Sequence, residues 1–321
     1  MARAAIGRMS WDRLPLRPVA DAVPATVPVF IYGTAWKKDQ TTDLVHLALS
    51  SGFKAVDTAG QPKHYREDLV GEGIRRAIRA GRVKRGEIYL QTKYTCVHGQ
   101  DPNNMPYNPS ASITEQVHAS IQSSLHNLRH TEESSTDDDQ TSYIDTLLLH
   151  SPLPTLDETL EAWTALETYV PHRIRNLGIS NVSLPVLEML CTSPRVRVKP
   201  VVVQNRFYMA TGFDVPLRAY CRRHNIIYQS FWTLTANPEL VRSTAVQALA
   251  QLADISPAGA LYCLVLGLGD TTVLNGTTNQ RHMIEDLAAP KRVERLAAER
   301  PEEWMRVLNG FKQIIREPIA A

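Results

Sequence analysis

GFKAVDTAGQPKHYREDLVGEGI, residues 52–74, contains one strand and the start of one helix, and that plan decides the fold. Phe53–Asp57 is a short aliphatic and aromatic run with the composition of a buried strand, closed off by a carboxylate. After a loop, Glu67–Ala80 takes up a helical pattern. The same plan repeats outward in both directions. Strand-like runs recur at Val29–Gly33, Ile88–Lys93, Ile144–His150, Ile174–Ser180, Val201–Gln204, Ile226–Ser230 and Thr271–Leu274. Helical patterns lie between them, at Thr42–Ser51, Ile113–Leu128, Leu156–Tyr169, Leu184–Cys191 and Pro216–His224. Alternation of this kind predicts a parallel sheet with helical crossovers. Eight units in 321 residues match a closed (β/α)₈ barrel, which typically needs about 250 residues before insertions. An open doubly wound sheet is the competitor, but the Gly-rich phosphate loop it usually carries after the first strand is missing. The expectation is an α/β chain with one barrel domain over residues 24–321.

Composition sets the outer limits. With 43% hydrophobic and 21% charged residues the chain can bury a sizeable core. A net charge of +2 gives no reason to expect nucleic acid or an anionic membrane as partner. Cys96, Cys191, Cys221 and Cys263 are scattered without metal-ligand spacing, so no metal site is expected and reduced thiols in a cytoplasmic monomer are the reading. No apolar run approaches the roughly 18 residues that span a bilayer. Residues 1–23 mix Arg3, Arg8, Arg13 and Arg17 with Asp12 and Asp21, too acidic for a transit peptide, and read as a poorly ordered or barrel-capping extension. The acid-rich stretch 131–142 reads as a solvated surface insertion.

In such a barrel the carboxyl ends of the strands gather on one face. Asp57, Tyr65, Lys93 and His150 each lie at or just past a strand end, so an acid, a phenol, an ammonium and an imidazole converge. That group can hand a proton to a carbonyl oxygen while another agent delivers hydride. Singly, each has an ordinary structural explanation; together, at ordered strand ends, they point to chemistry. His64, beside Tyr65, is the rival proton donor.

Here the chain resembles the aldo-keto reductase superfamily, from about Val27 to Leu287. The resemblance rests on GFKAVDTAGQPKHYREDLVGEGI, then YLQTKYT (residues 89–95), then DTLLLHSP (residues 145–152), and later on IRNLGISN and PVVVQN. The spacer between Ala59 and Tyr65 is longer than the family's usual one. The resemblance implies a carbonyl reductase in which Tyr65 is the general acid, Lys93 and Asp57 are its ion-paired activators and His150 orients the substrate carbonyl. An ammonium in contact with a phenol lowers a pKa that is otherwise near 10, and a counter-ion keeps a buried lysine charged. The resemblance further implies NADPH or NADH as cofactor. Ser180, Asn181 and Gln204 would pair with the nicotinamide carboxamide, Phe231 would stack under its ring, and Gly33 and Thr34 would approach it closely.

VLNGTTNQRHMIEDL, residues 273–287, departs from the family. Where members that prefer the phosphorylated dinucleotide carry Pro-Lys-Ser, an arginine and Glu-Asn, this chain has Asn275, Gly276, Thr277, His282, Glu285 and Asp286. The lysine and arginine of the 2′-phosphate clamp are both absent, and Arg281 is the substitute if the loop shifts by one residue. Cofactor contacts are therefore expected from Thr277, Arg281, Glu285 and Asp286, with the preference between NADPH and NADH left open. The loop Thr95–Ser110 should overhang the pocket, and Trp36, Tyr107 and Trp232 would give an aromatic mouth for a bulky or flat small-molecule carbonyl. The altered clamp keeps open a second reading, a non-catalytic barrel that binds dinucleotide and regulates a partner protein.

Overall fold

The computed structural model describes residues 8–18, 25–131 and 142–319. Two short strands, β1 (Arg13–Pro15) and β2 (Thr26–Pro28), pair antiparallel. Eight more close into a parallel barrel: β3 (Phe30–Gly33), β4 (Ala55–Asp57), β5 (Tyr89–Tyr94), β6 (Thr146–Leu149), β7 (Leu177–Ser180), β8 (Val202–Arg206), β9 (Ile227–Phe231) and β10 (Thr271–Asn275). Each pairs with its neighbours in sequence, and β10 pairs with β3 to complete the ring. Closure settles the expected (β/α)₈ barrel against the open sheet. The helices that cross between strands are α1 (Thr41–Ser51), α2 (Glu67–Arg79), α3 (Ile113–Asn127), α4 (Leu156–Glu167), α5 (Leu184–Thr192) and α6 (Val215–Arg223). After β9 come α7 (Pro238–Val241), α8 (Thr244–Ala253) and α9 (Pro257–Leu266), and after β10 the two long helices α10 (Gln280–Glu299) and α11 (Pro301–Ile314). Several helix starts are fixed by side chains. At α3, Ser112 Oγ accepts from the Glu115 amide while the Glu115 carboxylate accepts from the Ser112 amide, a reciprocal cap worth about 1 kcal/mol.

Strand side chains alternate between two faces, and here the faces belong to two cores. Leu90 and Tyr94 pack outward into the layer shared with the helices, whereas Tyr89 belongs to an inner cluster. Gln91 and Lys93, at even spacing from Tyr89, therefore share its inward face. The inner cluster joins Ile31, Ala55, Leu148, Val202 and Ile227 to Leu14, Leu16 and Val27 of the β1–β2 hairpin, which covers that end of the barrel. Arg8 Nε ties the hairpin's approach to Asp270 at 2.6 Å. Residues 1–7 and 19–24, and residues 132–141 of the acidic stretch, lie outside the described residues. Among the described residues no single helix is long and apolar enough to cross a membrane.

Gly178, inside β7, shows how tightly the barrel wall closes. A Cβ there would sit 2.4 Å from Leu148 Cδ2 and 2.6 Å from the Val202 carbonyl oxygen, one of which is backbone. Gly178→Ala is expected to destabilise the fold by about 1–3 kcal/mol, the usual cost of overpacking. Thermal denaturation checks this, and an unchanged midpoint would mean that β6 and β8 yield freely.

Candidate active site

The carboxyl ends of the barrel strands enclose a cavity of about 760 Å³. Asp57, at the end of β4, forms its floor with Gln204 of β8. Just beneath, Lys93 of β5 is almost fully buried and places Nζ 2.6 Å from Asp57 Oδ2, with a second hydrogen bond to the Thr58 carbonyl at 2.8 Å. The other Asp57 oxygen accepts from Gln91 Nε2 at 2.6 Å and Gln204 Nε2 at 2.9 Å. Gln229 of β9 completes the layer, its Oε1 accepting from both Gln91 and Gln204. A buried ion pair survives when its remaining lone pairs and protons are satisfied, and this polar layer satisfies them. Sequence reasoning missed Gln91 and Gln229. Their signal was available: a glutamine in the middle of an otherwise apolar strand must find a partner inside.

Tyr65 lies beyond the end of β4 on a turn whose backbone is held from two sides, by Tyr65 N donating to the Gln61 carbonyl and Gly60 N donating to the Lys93 carbonyl. Its ring meets His150 edge-on at 6.0 Å between centroids, and Lys93 Nζ stands 5.1 Å from its ring centre. The four strand-end residues thus converge. Their electrostatics differ from the sequence expectation: burial, and then the Asp57 carboxylate, push the Tyr65 phenol up rather than down. Burial is the larger cause, because a phenolate is costly away from water, and the Asp57 carboxylate adds to it; burial in turn pushes Lys93 down against the pull of Asp57. Burial, with Lys93 nearby, lowers His150 to about 3, so its imidazole is neutral at working pH. His150 Nδ1 lies 2.6 Å from the Thr95 hydroxyl, leaving Nε2 for the cavity. His64, the rival donor, lies against Trp36 with ring centroids 3.7 Å apart and planes tilted by 35°, and its buried Nδ1 has no hydrogen-bond partner among the described residues.

The cofactor-contact residues from the sequence reading mostly line the same cavity: Gly33, Ser180, Asn181, Gln204, Phe231, Thr277, Glu285 and Asp286 all do. Thr34, fully buried, instead donates its hydroxyl to the Asp57 carbonyl. Asn181 takes a left-handed backbone (φ 51°), which an asparagine tolerates, and anchors itself by donating to the His150 carbonyl at 2.9 Å. Its Oδ1 and Gln204 Oε1 accept nothing from the described residues, whereas the Ser180 hydroxyl donates to the Gln204 carbonyl and accepts from Asn181 Nδ2. Two open amide oxygens facing the cavity fit the amide hydrogens of a nicotinamide.

A match over residues 30–241 to the sequence model of the Aldo/keto reductase family decides the relationship. The chain belongs to the aldo/keto reductase family. An uncharacterised oxidoreductase of Schizosaccharomyces pombe is 28% identical over 252 residues, 78% of each chain. Aldo-keto reductase family 1 member C21 of Mus musculus is 24% identical over 90% of each. In fold, an aldo/keto reductase from Brucella melitensis superposes with a TM-score of 0.65 at 22% identity, covering 86% of this chain and 92% of that one. The aldo/keto reductase described here is accordingly an NAD(P)-dependent oxidoreductase that acts on small carbonyl compounds.

Arg281 does not reach the cavity; its side chain is 83% exposed and its Nε is held by Glu285 at 2.6 Å. Lys37, from the loop after β3, does reach it, and its Nζ donates to the carbonyl of Gly276. Burial lowers the Lys37 pKa. Asp286, which accepts from Asn275 Nδ2 at 2.7 Å, is pushed up to about 6 by its own burial. Sequence reasoning missed Lys37 because nothing local in TAWKKDQ tells which lysine turns inward.

Of the three aromatics named for the mouth from the sequence, two line the cavity. Trp36 and Trp232 line it, 58% and 47% exposed, and both hold left-handed backbones (φ 65° and 55°) that are uncommon for bulky residues. Tyr107 is not part of the wall. It is buried against Tyr94, and its hydroxyl donates to the Thr95 carbonyl at 2.6 Å, so it braces the residue that holds His150.

Proposed function

We propose that this chain reduces an aldehyde or ketone to the alcohol, with Tyr65 giving the proton to the carbonyl oxygen. The observation that carries this reading is the buried Asp57–Lys93 pair set directly against Tyr65 and His150 on the floor of one cavity. A module that only bound dinucleotide would have no use for a proton donor there. The reduced nicotinamide, when bound, supplies the hydride that adds to the carbonyl carbon. Ser180, Asn181 and Gln204 would hold its carboxamide and Phe231 would back its ring. His150, kept neutral by burial and oriented through Nδ1 by Thr95, donates from Nε2 to the carbonyl oxygen and holds it against the Tyr65 hydroxyl. As the proton leaves Tyr65, Lys93 offsets the charge that develops on the phenol oxygen. Trp36 and Trp232 suit a flat or bulky substrate. A panel of aromatic and aliphatic aldehydes and ketones, assayed with NADPH and NADH, tests the reading. Cofactor binding without turnover of any carbonyl would instead favour the regulatory barrel.

The same reading assigns the dinucleotide's 2′-phosphate to Lys37 in place of the missing clamp. With one cation where relatives use two, discrimination between NADPH and NADH should be weak. A charged hydrogen bond is worth about 1.5–3 kcal/mol, so Lys37→Met should raise the Kd for NADPH by about tenfold or more and change that for NADH less. Arg281→Ala, whose partner is Glu285, should change neither. Fluorescence titration of both cofactors decides, and an Arg281→Ala effect larger than that of Lys37→Met would reverse the assignment.

A further inference from the structure

Arg206, the last residue of β8, lines the active-site cavity and is half-buried. Its guanidinium lies 4.1 Å from the ring centre of Trp232 and 5.1 Å from that of Tyr208. Among the described residues, no carboxylate or carbonyl accepts a hydrogen bond from it. Flanking rings attract a cation and fix its plane, but they leave its N–H donors without acceptors and its charge unbalanced. The cavity's own acids do not balance it. Asp57 is bound to Lys93, Glu285 to Arg281, and Asp286 to Asn275.

Register places the guanidinium relative to the chemistry. Gln204 pairs with Gln229 and Arg206 with Phe231 across the β8–β9 ladder, so Arg206 shares the inward face of Gln204 two residues further out. Two residues of strand span about 6–7 Å. Arg206 therefore stands one layer above the floor that holds Asp57 and Gln204, beside the exposed Trp232 of the mouth. A planar fork at fixed height, with open donors, matches the two oxygens of a carboxylate or a phosphate.

We propose that Arg206 is an oxyanion receptor of this cavity, binding either a carboxylate on the carbonyl substrate or the diphosphate of the dinucleotide. The first source rests on the reductase reading; the receptor itself does not, because binding is measurable without turnover. Trp232 stacks on the guanidinium, so its fluorescence reports a ligand arriving there. With oxidised dinucleotide present, 4-formylbenzoate and its neutral counterpart benzaldehyde are titrated against wild type, Arg206→Met and Arg206→Lys. NADPH, NADH and ADP-ribose are titrated separately, and melting midpoints confirm that the variants fold.

If the substrate supplies the oxyanion, Arg206→Met lowers the preference for 4-formylbenzoate over benzaldehyde by about tenfold or more. Arg206→Lys, which keeps the charge but loses the fork, then recovers part of it. If the cofactor supplies it, Arg206→Met weakens NADPH, NADH and ADP-ribose by a common factor, and the preference between the two aldehydes is unchanged. A folded Arg206→Met that alters neither set of Kd values overturns the proposal and leaves the arginine as packing for Trp232. Wild-type protein that binds these ligands but reduces no carbonyl sinks the reductase reading alone.

Discussion

Tyr65→Phe is expected to lower kcat by about 10²–10⁴ while leaving the Kd for cofactor nearly unchanged. The substitution removes one oxygen and keeps the ring that packs edge-on to His150 and faces Lys93, so the cavity's shape survives. What it removes is the proton. Burial and Asp57 hold the phenol above its ordinary value, so the hydroxyl is protonated at working pH, the state a proton donor starts from. His150 cannot take its place as an acid, because an imidazole lowered to about 3 carries no extra proton near neutrality. The same shift predicts that the pH profile of kcat/KM has no limb near 6.5 belonging to His150. Steady-state kinetics with a reactive aldehyde, alongside cofactor titration, checks both points. Turnover in Tyr65→Phe close to that of the parent would move the donor to His64, whose buried and unpartnered Nδ1 makes it the next residue to replace.

The fold was legible because most barrel-strand residues are buried on both faces and so read as short, largely apolar runs, with a helical pattern after most of them. The convergence of Asp57, Tyr65, Lys93 and His150 was legible for a related reason: in a closed parallel barrel, position at a strand end fixes position in space. What stayed hidden depends on side-chain direction. Tyr107 sits in the loop expected to overhang the pocket, yet its ring turns down onto Tyr94, since a buried phenol must find an acceptor and the Thr95 carbonyl is there. Arg281, expected at the cofactor, pairs four residues along its own helix with Glu285, a local contact that competes with any ligand. Lys37 and Arg206 needed the register of the barrel before either could be seen facing the cavity. The expected fall in the Tyr65 pKa failed because burial of the phenol, which no sequence spacing shows, outweighs the neighbouring lysine, and the Asp57 carboxylate pushes the same way.

Asp57→Asn is expected to cost both activity and about 3–5 kcal/mol of stability, the usual penalty for stranding one charge of a buried pair. The asparagine would fill the same space, and Gln91 and Gln204 would still find one acceptor, so the loss measures charge rather than packing. Lys93 is 1% exposed and burial already pushes its pKa down; without Asp57, only the more distant Glu67 opposes that push. The sign of the pH dependence follows. A base whose folded pKa lies below its unfolded value of 10.5 binds fewer protons folded than unfolded between those two values. Stability then rises with pH across that window, so the deficit of Asp57→Asn should be largest at low pH and shrink as the pH climbs toward the ordinary lysine range. Removing both charges removes the cause, and Asp57→Asn combined with Lys93→Met should unfold later than Asp57→Asn alone while staying inactive. Urea denaturation of the three proteins at two pH values separates these outcomes. A single variant that melts with the parent, shows no pH trend and keeps its turnover would mean that Lys93 and Asp57 do not act as a pair.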